Sequence, residues 1–162
     1  METIDSLNKA TLSRLRELAV SLCDSQVGLT ETAGKVIDKE VVRLFYGIAS
    51  ERATMEQELN DVLHINCEPI SDTTSWLGEL SHAWTRVRAA LSGGDAFVIL
   101  NEVERSEAMI VASYKRILPE IAGNPLNKLL LEQYERLQTG LTALGEMRDR
   151  RKPLAVDPPK EM

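Results

Sequence analysis

DAFVILNEVERSEAMIVASYKRIL, residues 95–118, decides the fold. Gly93-Gly94 precede it, and Pro119 and Gly123 follow it. Asp95 is a natural N-cap, because its carboxylate can accept from the free N–H groups of a first helical turn. Phe97, Leu100, Val111, Tyr114 and Leu118 recur at helical spacing, and Ile99, Val103, Ile110 and Ile117 form a second apolar row beside them. Two adjacent rows predict a helix buried over a wide arc. Nothing alternates with a period of two, so the stretch does not read as a strand.

Reading outward gives four more helices. Downstream, Asn124-Pro125 restarts a helix, with proline in the first turn where its missing N–H costs nothing. Leu130, Leu137 and Leu144 recur every seven residues, with Leu126 and Leu141 beside them. Arg148–Lys152 closes that helix with cations where the dipole favours them. Upstream, a third helix is expected over about Trp76–Leu91, with Trp76, Leu80, Trp84, Val87 and Leu91 on one face. Pro69 and its polar neighbours read as a loop over 66–75. A second helix runs from the cap Asp38 to about Ile65, its stripe being Phe45, Ile48, Met55, Leu59 and Val62. The first spans about Ser6–Val36, with Leu15, Leu22, Leu29 and Val36 in one row and Leu18, Ser25 and Thr32 in the other. The expected architecture is an all-α antiparallel four-helix bundle with an additional C-terminal helix. Residues 1–152 would form a single domain and 153–162 a disordered tail.

Composition excludes several functions. The 162 residues carry Lys+Arg 19 against Asp+Glu 25, a net charge of −6, which argues against a phosphate backbone as partner. Aromatics are only 4%, too few for a stacking surface. Ala96–Leu100 and Ala108–Ala112 are the longest apolar runs, far short of the roughly 20 residues a membrane span needs. Cys23 and Cys67 lack zinc-ligand spacing and fit reduced thiols. These features predict a cytoplasmic protein that contacts neither nucleic acid nor membrane.

The informative residues are polar ones placed where core belongs. Arg52 interrupts the second stripe, and Glu104 and Glu107 interrupt the fourth. An unpaired buried charge costs several kcal/mol, so such residues come with partners. The leading expectation is a buried network in which Arg52 bridges Glu104 or Glu107, with Ser25, Thr32 and Tyr114 completing the hydrogen bonds. Such a cluster fixes helix register and performs no chemistry. The competing expectation is a carboxylate metal site for iron or manganese, with Glu104, Glu107 and Glu51 as ligands. Glu58, Asp24 and Glu31 flank the same stripes. Glu79-Leu-Ser-His82 has ferritin-type ligand spacing, but its histidine falls opposite the Trp76–Leu80–Trp84 face. His64 reads as a dipole partner at a helix end. Trp76 and Trp84 read as core or interface anchors.

Several of these residues carry a resemblance. Glu51-Arg52, Gly78-x-Leu80-x-x-x-Trp84, Gly93-Gly94-Asp95, Glu102-x-Glu104-Arg105-x-Glu107 with Tyr114, and Gln133-Tyr134 occur in order over about Leu7–Arg148. The chain resembles a bacterial ferritin-like four-helix-bundle family of unknown function. That family often has histidine where this chain has Ser81, and glycine where it has Ser106. The resemblance implies a ferritin-like bundle without established activity. The expected role is non-enzymatic: self-association into a homo-oligomer or binding of a protein partner, with no cofactor unless the metal alternative holds.

Overall fold

The computed structural model describes residues 3–66 and 77–153, the side chains of 77–81 excepted. It is an all-α bundle of α1 (Lys9–Ala33), α2 (Lys39–Ile65), α3 (Leu77–Gly93), α4 (Ala96–Ile117) and the additional C-terminal helix α5 (Asn127–Arg150), with a short 3-10 turn at Leu118–Ile121. Among the described residues there is no strand, only an isolated bridge between Thr3 and Ser6. Expected Trp76 and Cys67, and the proposed tail beyond Pro153, lie outside the described residues.

Local signals account for most boundaries. Asp38 caps α2, accepting from the N–H groups of Glu40 at 3.1 Å and Val41 at 3.3 Å. Asp95 caps α4, accepting from Phe97 N–H at 2.9 Å. Gly94 before it has φ +69°, a left-handed turn that a side chain would strain. Three ends differ from expectation. α1 starts later, at Lys9, because Asn8 is its cap and accepts from Thr11 N–H at 2.8 Å. It also ends earlier, at Ala33, with Gly34 closing it, so Val36 lies in the turn. α5 begins at Asn127, three residues past Asn124, whose side chain instead holds a turn by accepting from Leu126 N–H at 2.9 Å.

Cross-helix bonds set the directions. At one end Leu7 N–H donates to Asn66 Oδ1 (3.0 Å) and Arg14 pairs with Glu120 (3.4 Å). At the other Arg151, closing α5, pairs with Asp38 at 2.8 Å. Successive helices therefore run antiparallel. α1 packs chiefly on α2, α4 on α5, and α3 in the groove between α1 and α4. Leu18, Leu22, Leu29, Phe45, Met55, Leu59, Leu100, Val103, Ile110 and Leu137 are fully buried between these layers.

The exposed pattern on α4 corrects one reading. Its deep row is Leu100, Val103, Glu107, Ile110 and Tyr114, whereas Phe97, Glu104, Val111 and Leu118 lie at the flank, half-buried. The helix is rotated so that the row holding Val103 and Ile110 faces α1, α3 and α5 together, which buries more apolar area.

Candidate functional site

The bundle's centre is polar. Arg52 on α2 and Glu107 on α4 both have 0% exposed side chains, and Arg52 Nε donates to Glu107 Oε2 at 2.9 Å. Ser25 on α1 donates its hydroxyl to the other oxygen, Glu107 Oε1. One carboxylate thus joins three helices. The guanidinium reaches further: Nη1 lies 3.6 Å from Met55 Sδ and 3.6 Å from Glu51 Oε1. Glu51 as a whole is 40% exposed, although the Oε1 that faces Arg52 is itself buried, and at 3.6 Å the contact is an ion pair without a hydrogen bond. Arg52 Nη2 is buried without an acceptor among the described residues.

A fourth helix makes room for the guanidinium. A Cβ at Gly140 of α5 would stand 2.8 Å from Arg52 Nη2 and 3.8 Å from Ile48 Cγ1. Glycine thus gives the guanidinium its room, and an added Cβ would force Nη2 to shift inside the core, which offsets glycine's cost of about 1 kcal/mol in a helix. Gly140 escapes sequence reading, because its only signal is a missing side chain beside Leu137 and Leu141.

A second polar chain lies about two turns along α4. Tyr114 is fully buried and donates to Gln133 Oε1 at 2.6 Å, and Gln133 Nε2 donates to the Met55 carbonyl at 3.1 Å. Burial pushes the Tyr114 phenol well above its ordinary value; Arg52 opposes that shift and Glu58 adds to it. Gln133 sits in the α5 leucine row between Leu130 and Leu137, the same signal that singled out Arg52.

The remaining residues fall elsewhere. Glu104 is part-buried and paired with Arg148 of α5, not with Arg52. Its flank position on α4 turns it outward, and Arg148, near the end of α5, meets it there. Thr32 bonds back to the Gly28 carbonyl of its own helix at 2.7 Å, and Tyr114 bonds Gln133, so neither touches the ion pair. Glu58 pairs with Arg136 at 2.8 Å. His82 and His64 are exposed. Glu51 and Glu107 face Arg52 from different sides and Glu104 faces Arg148, and among the described residues no three His, Cys, Asp or Glu side chains form a group that could hold a metal ion. No helix among the described residues is long and apolar enough to cross a membrane.

Trp84 is also internal. It is 4% exposed and lies face-on to α1, where a Cβ at Gly28 would come within 2.5 Å of its ring. Gly28 thus serves as the seat of α3, a role hidden in the sequence because it lies 56 positions from its partner.

These features define an all-α helical bundle knit by a buried Arg–Glu–Ser cluster. The chain belongs to the family described as Domain of unknown function (DUF2383), whose model matches residues 10–120, more than half of its length. The match covers α1 to α4 and stops short of α5. Neither a curated protein nor a solved structure matches the chain.

Proposed function

We propose that the protein is non-enzymatic and works as a rigid helical bundle that associates with protein surfaces, its own copies included. The observation that carries this reading is the closure of the central cluster. Both oxygens of Glu107 are engaged, by Arg52 and Ser25, in a region without solvent access. A general acid, base or metal ligand needs a lone pair or proton available to an incoming group. This carboxylate is 0% exposed with each oxygen already held, so its remaining lone pairs are out of reach of an incoming group, and the guanidinium at 2.9 Å repels an approaching cation. The cluster holds α1, α2 and α4 in one register, as buried polar groups do in other helical assemblies. What such a frame presents to the outside is its surface, which carries isolated apolar side chains: Ile37 is 96% and Tyr46 47% exposed.

A ferritin-like kinship belongs to the same proposal. The helices around the cluster, α1, α2, α4 and α5, run up, down, down and up. α3 returns the chain from the end of α2 to the start of α4, which supports the one-crossover connectivity of ferritin-like bundles. Fold kinship transfers no oxidation chemistry.

Size-exclusion with light scattering from about 1 to 100 μM protein, with affinity capture from the native host, tests the reading. A mass of two or more chains, or a stoichiometric partner, is expected. A monomer throughout with no partner captured overturns it.

A further inference from the structure

A small cleft of about 140 Å³ opens between α1 and α3, well away from the ion cluster. Asp24, Val27, Gly28 and Glu31 line it from α1, and Trp84 and Arg88 from α3. Its chemistry is uneven. The floor is the Trp84 ring pressed on Gly28, and one wall is Val27, 46% exposed. Around this apolar strip stand two acids and one base. None of the three has an ion-pair or hydrogen-bond partner among the described residues; Glu31 and Arg88 stand exposed at the rim and Asp24 is half-buried.

Spacing dictates what could satisfy them. Asp24 and Glu31 are seven residues apart on one helix, about 10.5 Å along its axis, too far to grip one ion. α3 runs parallel to α1, so Arg88, one turn beyond Trp84, lies toward the Glu31 end. One end of the cleft therefore offers an acid beside a base, and the other offers an acid alone, with an apolar floor between. A ligand matching this pattern carries an ammonium and a carboxylate at one end, a few methylenes, and a second ammonium at the other. We propose that this cleft binds a free basic amino acid of the lysine or ornithine type. The α-carboxylate meets Arg88, the α-ammonium Glu31, the side-chain ammonium Asp24, and the methylenes lie on Trp84 and Val27. Two further observations agree. The cleft's net charge of −1 complements the ligand's +1, and burial raises the Asp24 carboxyl above its usual value, marking a partly desolvated acid with no cation yet beside it.

The test is an NMR titration of the full chain with L-lysine, followed at the Trp84 indole N–H, assigned with Trp84→Phe. The expected result is a saturable shift below about 10 mM lysine that weakens with salt. Three analogues each delete one group: cadaverine lacks the carboxylate, norleucine the side-chain ammonium, and Nα-acetyl-lysine the α-ammonium. Each should bind about tenfold more weakly or worse, the loss expected for a charge-assisted hydrogen bond. Asp24→Asn should erase the preference for lysine over norleucine, and Arg88→Gln that over cadaverine, in variants whose circular dichroism matches the parent. No saturable shift, equal binding of any analogue, or preferences untouched by both substitutions overturns the proposal.

Discussion

Replacing Arg52 by methionine removes the guanidinium while keeping most of its volume. Glu107 would then lose its only cation, the donor at 2.9 Å, in a place where neither residue is exposed. Ser25 alone would remain to solvate the carboxylate. Breaking a buried pair from one side costs about 3–5 kcal/mol. An independent route gives a similar figure. A stranded carboxyl escapes by taking up a proton, which costs an ordinary glutamate about 3.7 kcal/mol at pH 7 and about 1 kcal/mol at pH 5. The loss of the Glu51 contact adds less, because at 3.6 Å it is an ion pair without a hydrogen bond and the side chain as a whole is 40% exposed. Arg52→Met should therefore cost about 3–4 kcal/mol at pH 7, a large share of the 5–15 kcal/mol typical of a domain. It should cost markedly less at pH 5. Urea unfolding followed by circular dichroism at both pH values reads this directly. Converting the whole cluster with Arg52→Met, Glu107→Met and Ser25→Ala should return stability to near the parent or above it, as buried ion pairs replaced by apolar groups often do. A loss below about 1 kcal/mol for Arg52→Met at pH 7, or one independent of pH, would refute the reasoning.

Four other outcomes follow from the geometry. Gly140→Ala should destabilise by about 1–3 kcal/mol through overpacking against Arg52, against the usual gain of alanine in a helix, and Arg52→Met should relieve it. Denaturation of the single and double variants checks this coupling. Gly28→Ala should unseat Trp84, with a red-shifted tryptophan emission and a similar loss of stability; an unchanged spectrum would contradict the 2.5 Å approach. Tyr114→Phe strands Gln133 Oε1 and should cost about 1–3 kcal/mol. Because folding raises the Tyr114 phenol, its contribution is complete below pH about 10 and fades as pH rises further, so the late alkaline phenolate absorbance that accompanies unfolding should shrink in this variant. Asp38 is held below its usual range first by the hydrogen bond from Arg151, so its contribution is complete above pH about 3.9 and is lost as pH falls through the lowered folded value. Asp38→Asn keeps a competent cap but should flatten that acid limb of the stability profile.

Helices, caps and the direction of the chain were legible because their causes are local. Asp38 and Asp95 cap the helices they precede, and the leucine rows of α1 and α5 face inward, since caps and period act within a few residues. The rule that a charge in an apolar stripe needs a partner pointed at Arg52, Glu104 and Glu107 alike. Tertiary structure alone decided which glutamate the arginine meets. α4 has apolar residues over so wide an arc that either Glu104 or Glu107 could face the centre, and only its rotation against α1, α2 and α5 together turns Glu107 inward and leaves Glu104 to Arg148. The same holds for Gly140 under the guanidinium and Gly28 under Trp84. A glycine records no pattern of its own, and the space it leaves has meaning only once a distant helix fills it.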